Sequence, residues 1–485
     1  MRLPSTGAPG AGFNQAPPLE DLDMFSTNRP LVEATERAGA GWVLERAARL
    51  GRLVGGEPLG WGFQANANPP RLETHDRYGN RIDEVEFHPA WHELMRLGVT
   101  HELHALPWRT EAPAAHSARA ALYMTAIQAE AGFGCPITMT YAAVPALRAQ
   151  ADLAAVWEPL LTSTSYDPRL VSPAEKGSAI CGMAMTERQG GSDVRANTTT
   201  ARPLAGAGEY ELTGQKWFCS APMSDVFLVL AQTGDGLSCF LLPRILPDGT
   251  RNRFHLQRLK DKLGNRSNAS SEVELDRAWA QLVGPSGRGV ATIIEMVAHT
   301  RLDCAIGAAG GMRWALAQAL HHATHRSAFG RRLVEAPLMR NVLADLALES
   351  EAATALAMRL AAAYDEDSDL RRLATALGKY WLCKRVPAHA AEALECLGGN
   401  GYVEASGMPR LYREAPLASI WEGSGNVICL DVLRAIARRP EGLELYLGEL
   451  DAARGADRRL DGFVAGLRRE LADPLEQESR ARRIV

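Results

Sequence analysis

Apolar residues return every three or four positions through LVEATERAGAGWVLERAARL, residues 31–50. That spacing predicts a helix over about 31–53, broken at Gly39 and Gly41. Residues 1 to about 30 are rich in Pro, Gly and Asn, which favour turns and extended backbone, so they read as an arm. In ANANPPRLETHDRYGNRID, residues 65–83, the residues Asn66, Asn68, Pro69, Pro70 and Gly79 predict a polar loop without regular structure. Helical patterning resumes at Pro89 and runs, with breaks, to about Trp157.

The pattern changes near Ile180. Short β-branched or aromatic runs (YELTG, FLVLAQT, SCFLLPR, SEVEL), punctuated by Gly, Pro and Asp, predict a compact antiparallel β unit ending near Val283. From Ala291 to Arg439 long Ala/Leu-rich stretches return, as in ADLALESEAATALAMRLAAAY. Elements segregated in the order α, β, α exclude a doubly wound parallel sheet and set the β unit between two helical bundles. The expected fold is α+β and mainly α. The expected division is an arm and helical domain over 1–182, an antiparallel β domain over 183–284, a four-helix bundle over 285–440 and a helical extension over 441–485. That last segment holds ten acidic residues and eight Arg, and it ends in mid-helix pattern, which reads as truncation.

Composition narrows the class. With 46% hydrophobic and 23% charged residues the chain has ordinary globular usage, and no apolar run free of charge is long enough to span a bilayer. A net charge of -4 gives no overall basic bias, so any nucleic-acid contact must rest on a local patch. The eight cysteines are scattered singly, which suggests neither a disulfide framework nor a metal site and fits reduced cytoplasmic thiols. His321, His322 and His325 lack a carboxylate partner at ligand spacing and read as a solvated helix face.

Five segments carry chemistry. In Met183-Ala-Met-Thr-Glu-Arg-Gln-Gly-Gly-Ser-Asp193, Gly190 and Gly191 let backbone approach a ligand, and Thr186 and Ser192 supply hydroxyls. The others are Gly214-Gln-Lys-Trp-Phe-Cys-Ser220, the pair His325-Arg-Ser-Ala-Phe-Gly330 and Leu397-Gly-Gly-Asn-Gly-Tyr402, and Ile420-Trp-Glu-Gly-Ser-Gly-Asn426. In isolation Trp217 and Phe218 read as core aromatics and Glu422 as a solvated carboxylate. Together these segments resemble the acyl-CoA dehydrogenase family, whose members bind FAD and oxidise the Cα–Cβ bond of acyl thioesters.

The resemblance implies that Met183, Met185, Thr186, Gly190, Gly191 and Ser192 cradle flavin and thioester. It lays Phe218, Cys219 and Ser220 against the isoalloxazine, and sets Trp421, Gly423, Ser424 and Asn426 around the same cofactor. It also implies that Arg326, Phe329, Gly398 and Gly399 hold the pyrophosphate or adenine of a neighbouring subunit's FAD. Glu422 matches the family's base. Some members carry that base just before the Arg equivalent to Arg301, but here Thr300 stands there and cannot serve. Desolvation against a flavin would raise the Glu422 pKa.

The segments Asn68–Leu72, Arg81–His92, Cys135–Thr140, Leu259–Ser270 and Leu411–Arg434 resemble the family's AidB-like branch. That branch implies a cytoplasmic homotetramer that binds FAD and double-stranded DNA, takes part in the response to DNA alkylation, and oxidises acyl-CoA feebly. Arg434, Arg438 and Arg439 are the candidate DNA contacts. The alternative is a metabolic dehydrogenase of short or branched acyl-CoA.

Overall fold

The structure, a computed structural model, describes residues 14–485; residues 1–13 of the expected arm lie outside the described residues. The first helices are α1 (Arg29–Arg37), α2 (Leu44–Val54) and α3 (Glu57–Ala67). Between the first two, Gly39 takes φ +82 and a short 3-10 turn follows, so the break expected near Gly39 and Gly41 is present. The expectation of a structureless loop over 65–83 is overturned. The third helix runs on to Ala67, and β1 (Arg71–His75) and β2 (Arg81–Glu86) form an antiparallel hairpin. Asp76 closes its turn by accepting hydrogen bonds from the amides of Tyr78 and Asn80 at 2.8 and 2.9 Å, the geometry by which Asp stabilises turns.

Five helices follow: α4 (Pro89–Thr100), α5 (Leu106–Arg109), α6 (Ala115–Ala126), α7 (Gly134–Leu147) and α8 (Ala151–Leu161). The β unit comprises β3 (Cys181–Ala184), β4 (Thr200–Pro203), β5 (Glu209–Ser220), β6 (Val226–Thr233), β7 (Gly236–Pro243), β8 (Phe254–Leu259) and β9 (Ser270–Val283). Strands β4, β5, β9, β7 and β6 pair antiparallel in that order, and a single parallel bridge from Thr200 to Gln232 closes the ring. The unit is therefore not purely antiparallel, because β3 also pairs parallel with β6. Among the described residues, closure leaves open edges only on the short strands β3 and β8, each paired on one side. Strand β6 explains its own unbroken apolar run: Phe227 and Val229 fill the ring's interior, while Leu228 and Leu230 pack against α7 and α8.

The second helical unit is α9 (Gly289–His325), a short hairpin of β10 (Ser327–Ala328) and β11 (Arg331–Arg332), then α10 (Pro337–Asp365), α11 (Leu370–Cys396), α12 (Met408–Glu414) and α13 (Gly425–Arg438). The extension adds α14 (Pro440–Ala452), α15 (Arg458–Ala472) and α16 (Gln477–Ile484). Helix α9 is the spine. One core of Trp91, Met124, Phe133, Leu302, Met312 and Leu360 joins it to both helical units. A buried bidentate pair at 2.5 and 2.6 Å between Arg119 and Asp303, with the Thr138 hydroxyl donating to the same carboxylate, fixes α6 and α7 against it. Among the described residues no helix is long and apolar enough to cross a membrane.

Candidate active site

Strand β3 delivers the backbone into the 185–199 loop, and Glu187 anchors that loop. Its carboxylate accepts from the amides of Thr198 and Thr199 and from the buried Lys216 ammonium at 2.8 Å. Burial opposes its ionisation, but Lys216 and the surrounding donors outweigh that and hold the carboxyl down at about 2. The loop is tightly wound: a Cβ on Gly191 would stand 2.4 Å from the Thr186 hydroxyl oxygen, so only glycine allows this approach. Met183, Met185, Thr186 and Gly191 are partly buried, while Gly190 and Ser192 are exposed.

The same loop meets β5 at a bulge. Lys216 pairs with Val273 and Cys219 with Ser271, leaving Trp217 and Phe218 opposite Glu272 alone. The freed Trp217 amide donates to the Thr186 carbonyl at 2.8 Å, tying the two predicted segments together. A bulge re-aims side chains, and Phe218 is left 52% exposed. Ser220 is partly open, within 3.2 Å of the Ser270 hydroxyl. Cys219 points inward, into the ring's core, so only its backbone faces the loop.

Glu422 occupies the turn before α13 with φ +56, and Gly423 follows at φ +110. A left-handed non-glycine residue costs on the order of 1 kcal/mol and persists only where its surroundings enforce it. Three cationic or hydroxyl donors do so. The Thr300 hydroxyl donates to Glu422 Oε2 at 2.7 Å, Arg301 Nε donates to the Glu422 carbonyl at 2.8 Å, and Lys379 Nζ donates to the Gly423 carbonyl. Arg301 is itself fixed by Asp431 at 2.7 Å, which also receives Arg372 at 2.7 Å. Burial raises the Glu422 carboxyl above its usual range, against the Thr300 hydrogen bond and the Arg301 and Lys379 charges.

Cys135 lies in the core between α7 and the sheet, where burial pushes its thiol up to about 12. Trp421 packs on the same core as Met183 and Met185. The structure therefore gathers Thr186, Phe218, Ser220, Trp421 and Glu422 into one region. Asn426 and Ser424 lie at its rim, and Asn426 Oδ1 accepts from Arg482 Nε at 2.7 Å.

Arg326, Phe329, Gly398 and Gly399 are not brought into it. Arg326 follows the last residue of α9 and Arg301 lies within its first half, which sets them roughly 37 Å apart along the axis. Phe329 at φ +53 and Gly330 at φ +78 make the hairpin turn between β10 and β11, leaving the Phe329 ring fully exposed. Arg434, Arg438 and Arg439 line a cavity of about 260 Å³ together with Arg301, Arg371, Arg372 and the carboxylates of Glu295 and Asp431. Sequence reasoning missed Lys379, Asp431 and the Glu187–Lys216 pair. It passed over Thr300 as a base, although Thr300 is a donor to the base.

The gathered residues suit a flavin. The Trp421 indole N–H is buried without a partner among the described residues, and Phe218 presents an open ring. Residues 14–168 match the adaptive response protein AidB N-terminal domain, 182–278 the acyl-CoA dehydrogenase middle domain and 287–437 the acyl-CoA dehydrogenase C-terminal domain. Fold and site thus define an acyl-CoA dehydrogenase, an FAD-dependent oxidoreductase acting on CH–CH bonds.

The chain is 47% identical to AidB of Escherichia coli (strain K12), over 96% of this chain and 88% of that protein. It superposes on Bd2924 in its apo form with TM-score 0.89 and 30% identity, covering 97% of this chain and 96% of that one. It also superposes on Caenorhabditis elegans ACDH-11 in complex with C11-CoA with TM-score 0.88 and 29% identity, covering 99% and 87%. The chain belongs to the AidB branch of the acyl-CoA dehydrogenase family.

Proposed function

We propose that the protein oxidises an acyl-CoA thioester slowly, with Glu422 as the base that removes the α-proton. The chemistry that bound FAD supplies is acceptance of a hydride from the β-carbon, leaving a Cα=Cβ double bond. Met183, Met185, Thr186, Gly190, Gly191, Ser192, Phe218, Ser220, Trp421, Gly423, Ser424, Asn426 and the Cys219 backbone are assigned to the cofactor. Arg326, Phe329, Gly398 and Gly399 are assigned to its adenine and pyrophosphate end in a homotetramer. The observation that carries this reading is the Glu422 carboxyl, enclosed, oriented by the Thr300 hydroxyl and raised by burial. The bound C11-CoA of ACDH-11 favours a thioester. Trp421 is assigned to the wall of the acyl pocket.

Glu422→Gln tests it. Flavin bleaching by undecanoyl-, butyryl- or isovaleryl-CoA under anaerobic conditions should slow by about 10²–10⁴, the usual worth of a general base, while FAD stays bound. Bleaching at the unaltered rate would overturn the assignment.

A second activity, binding of double-stranded DNA in the response to alkylation, is favoured by the arginines around the 260 Å³ cavity, of which Arg434, Arg438 and Arg439 are the proposed phosphate contacts. Its affinity should fall steeply with salt, and replacing these three by Ala should flatten the salt slope by about three ions. An unchanged slope rejects them as contacts.

A further inference from the structure

The segment just before α1 has no regular structure, yet its first described residues are held by side chains that belong to none of its own neighbours in sequence. The Asn14 amide group grips the backbone of Ser327 from both sides: Nδ2 donates to the Ser327 carbonyl at 2.6 Å, and the Ser327 amide donates to Oδ1 at 2.8 Å. The Asn14 carbonyl accepts from the Arg326 guanidinium. One residue on, Gln15 Oε1 accepts from Asn400 Nδ2 at 2.7 Å, and the Pro17 carbonyl lies 2.8 Å from His321 Nε2. The segment thus spans the two predicted motifs at this end of the molecule, 325–330 and 397–402, and stitches them together. Frayed surface segments do not make five such contacts within four residues.

We infer that Asn14–Pro17 is a strap that positions Arg326 for the pyrophosphate of FAD; this rests on the assignment of Arg326 to the cofactor. An exposed arginine samples many rotamers and gives up that freedom when it binds. The strap takes one N–H of the guanidinium and leaves the rest of the fork free for a phosphate, which pairs with two parallel donors. Asn14 does not touch the cofactor; it acts through Arg326, by anchoring the carbonyl that orients the guanidinium.

The test is a double-mutant cycle on the full-length protein, reading the FAD dissociation constant of the apoprotein by flavin fluorescence, with oligomeric state followed by light scattering. Asn14→Ala should weaken FAD about three- to tenfold, the cost of immobilising one rotamer-rich side chain afresh. Arg326→Ala should weaken it at least as much, and adding Asn14→Ala to it should change nothing further. Additive losses in the double variant, tighter or unchanged binding in Asn14→Ala, or a loss that follows dissociation of the oligomer each overturn the strap. An Arg326→Ala variant that binds FAD normally strikes instead at the assignment of Arg326, and removes the strap with it.

Discussion

Glu187 and Glu422 stand in two loops of the same site, one after β3 and one before α13, and their surroundings treat the same carboxyl group in opposite ways. Glu187 is met by a buried ammonium, two backbone amides and a threonine hydroxyl, which together overcome burial and hold it at about 2. Glu422 receives one hydroxyl on its carboxylate, while Arg301 and Lys379 spend their hydrogen bonds on the neighbouring carbonyls. Burial then wins, and its carboxyl is raised. The lesson concerns where cations are aimed. A charge directed at the carboxylate makes a permanent anion, suited to fixing a loop; the same charge directed at the backbone fixes the turn yet leaves the carboxyl free to exchange a proton.

The largest effect follows from breaking the first arrangement. Lys216→Met leaves a buried, unpaired carboxylate and should cost about 3–5 kcal/mol of stability at neutral pH, seen as a lowered thermal midpoint. Adding Glu187→Gln should restore much of it. The pH dependence has a definite sign. A carboxyl lowered from its ordinary 4.5 to about 2 contributes stability that is present above about 4.5 and is lost as pH falls toward 2. The gap between Lys216→Met and the unaltered protein should therefore narrow in acid. A variant that melts with the unaltered protein at pH 7 would show that Glu187 is not paired as described.

The contrast also marks what the chain's residues reveal unaided. The order α, β, α, the helices from Pro89, the strands from Ile180 and the helix break near Gly39 were all legible, because burial periodicity and glycine act locally. The hairpin over 71–86 was not, since Asn and Pro ahead of it outweighed the short RLETH alternation and the turn-forming Asp76. In the site, the glycine-rich loop, the aromatic strand and Glu422 were visible as motifs. Lys379 and Asp431 were not, because a lysine in the middle of α11 and an aspartate in α13 acquire meaning only when α9, α11 and α13 pack together.

The second arrangement can be disturbed more gently. Arg301→Lys keeps the charge but not the fork that serves the Glu422 carbonyl and Asp431 at once. The turn should then sample other conformations, and flavin bleaching by acyl-CoA should slow by about 10–100-fold, the worth of one to two charge-assisted hydrogen bonds, with FAD affinity unchanged. Parallel losses of rate and FAD would mean that Arg301 supports the cofactor cradle rather than the base.

The smallest effect is the most specific. Thr300→Val removes the one hydrogen bond to the Glu422 carboxylate and leaves the backbone clamps in place. That bond favours the ionised form, so its loss must raise a carboxyl that burial has already raised. The base works only when ionised, so the rate of bleaching climbs as pH rises through its pKa, and the variant's climb should be displaced to higher pH by about one unit, equivalent to roughly 1.4 kcal/mol. At alkaline pH, where both carboxyls are ionised, the two rates should converge. A uniform loss at every pH would indicate that Thr300 shapes the turn and not the proton affinity of Glu422. A shift toward lower pH would mean that the hydroxyl accepts from a protonated carboxyl, reversing the donor assigned here.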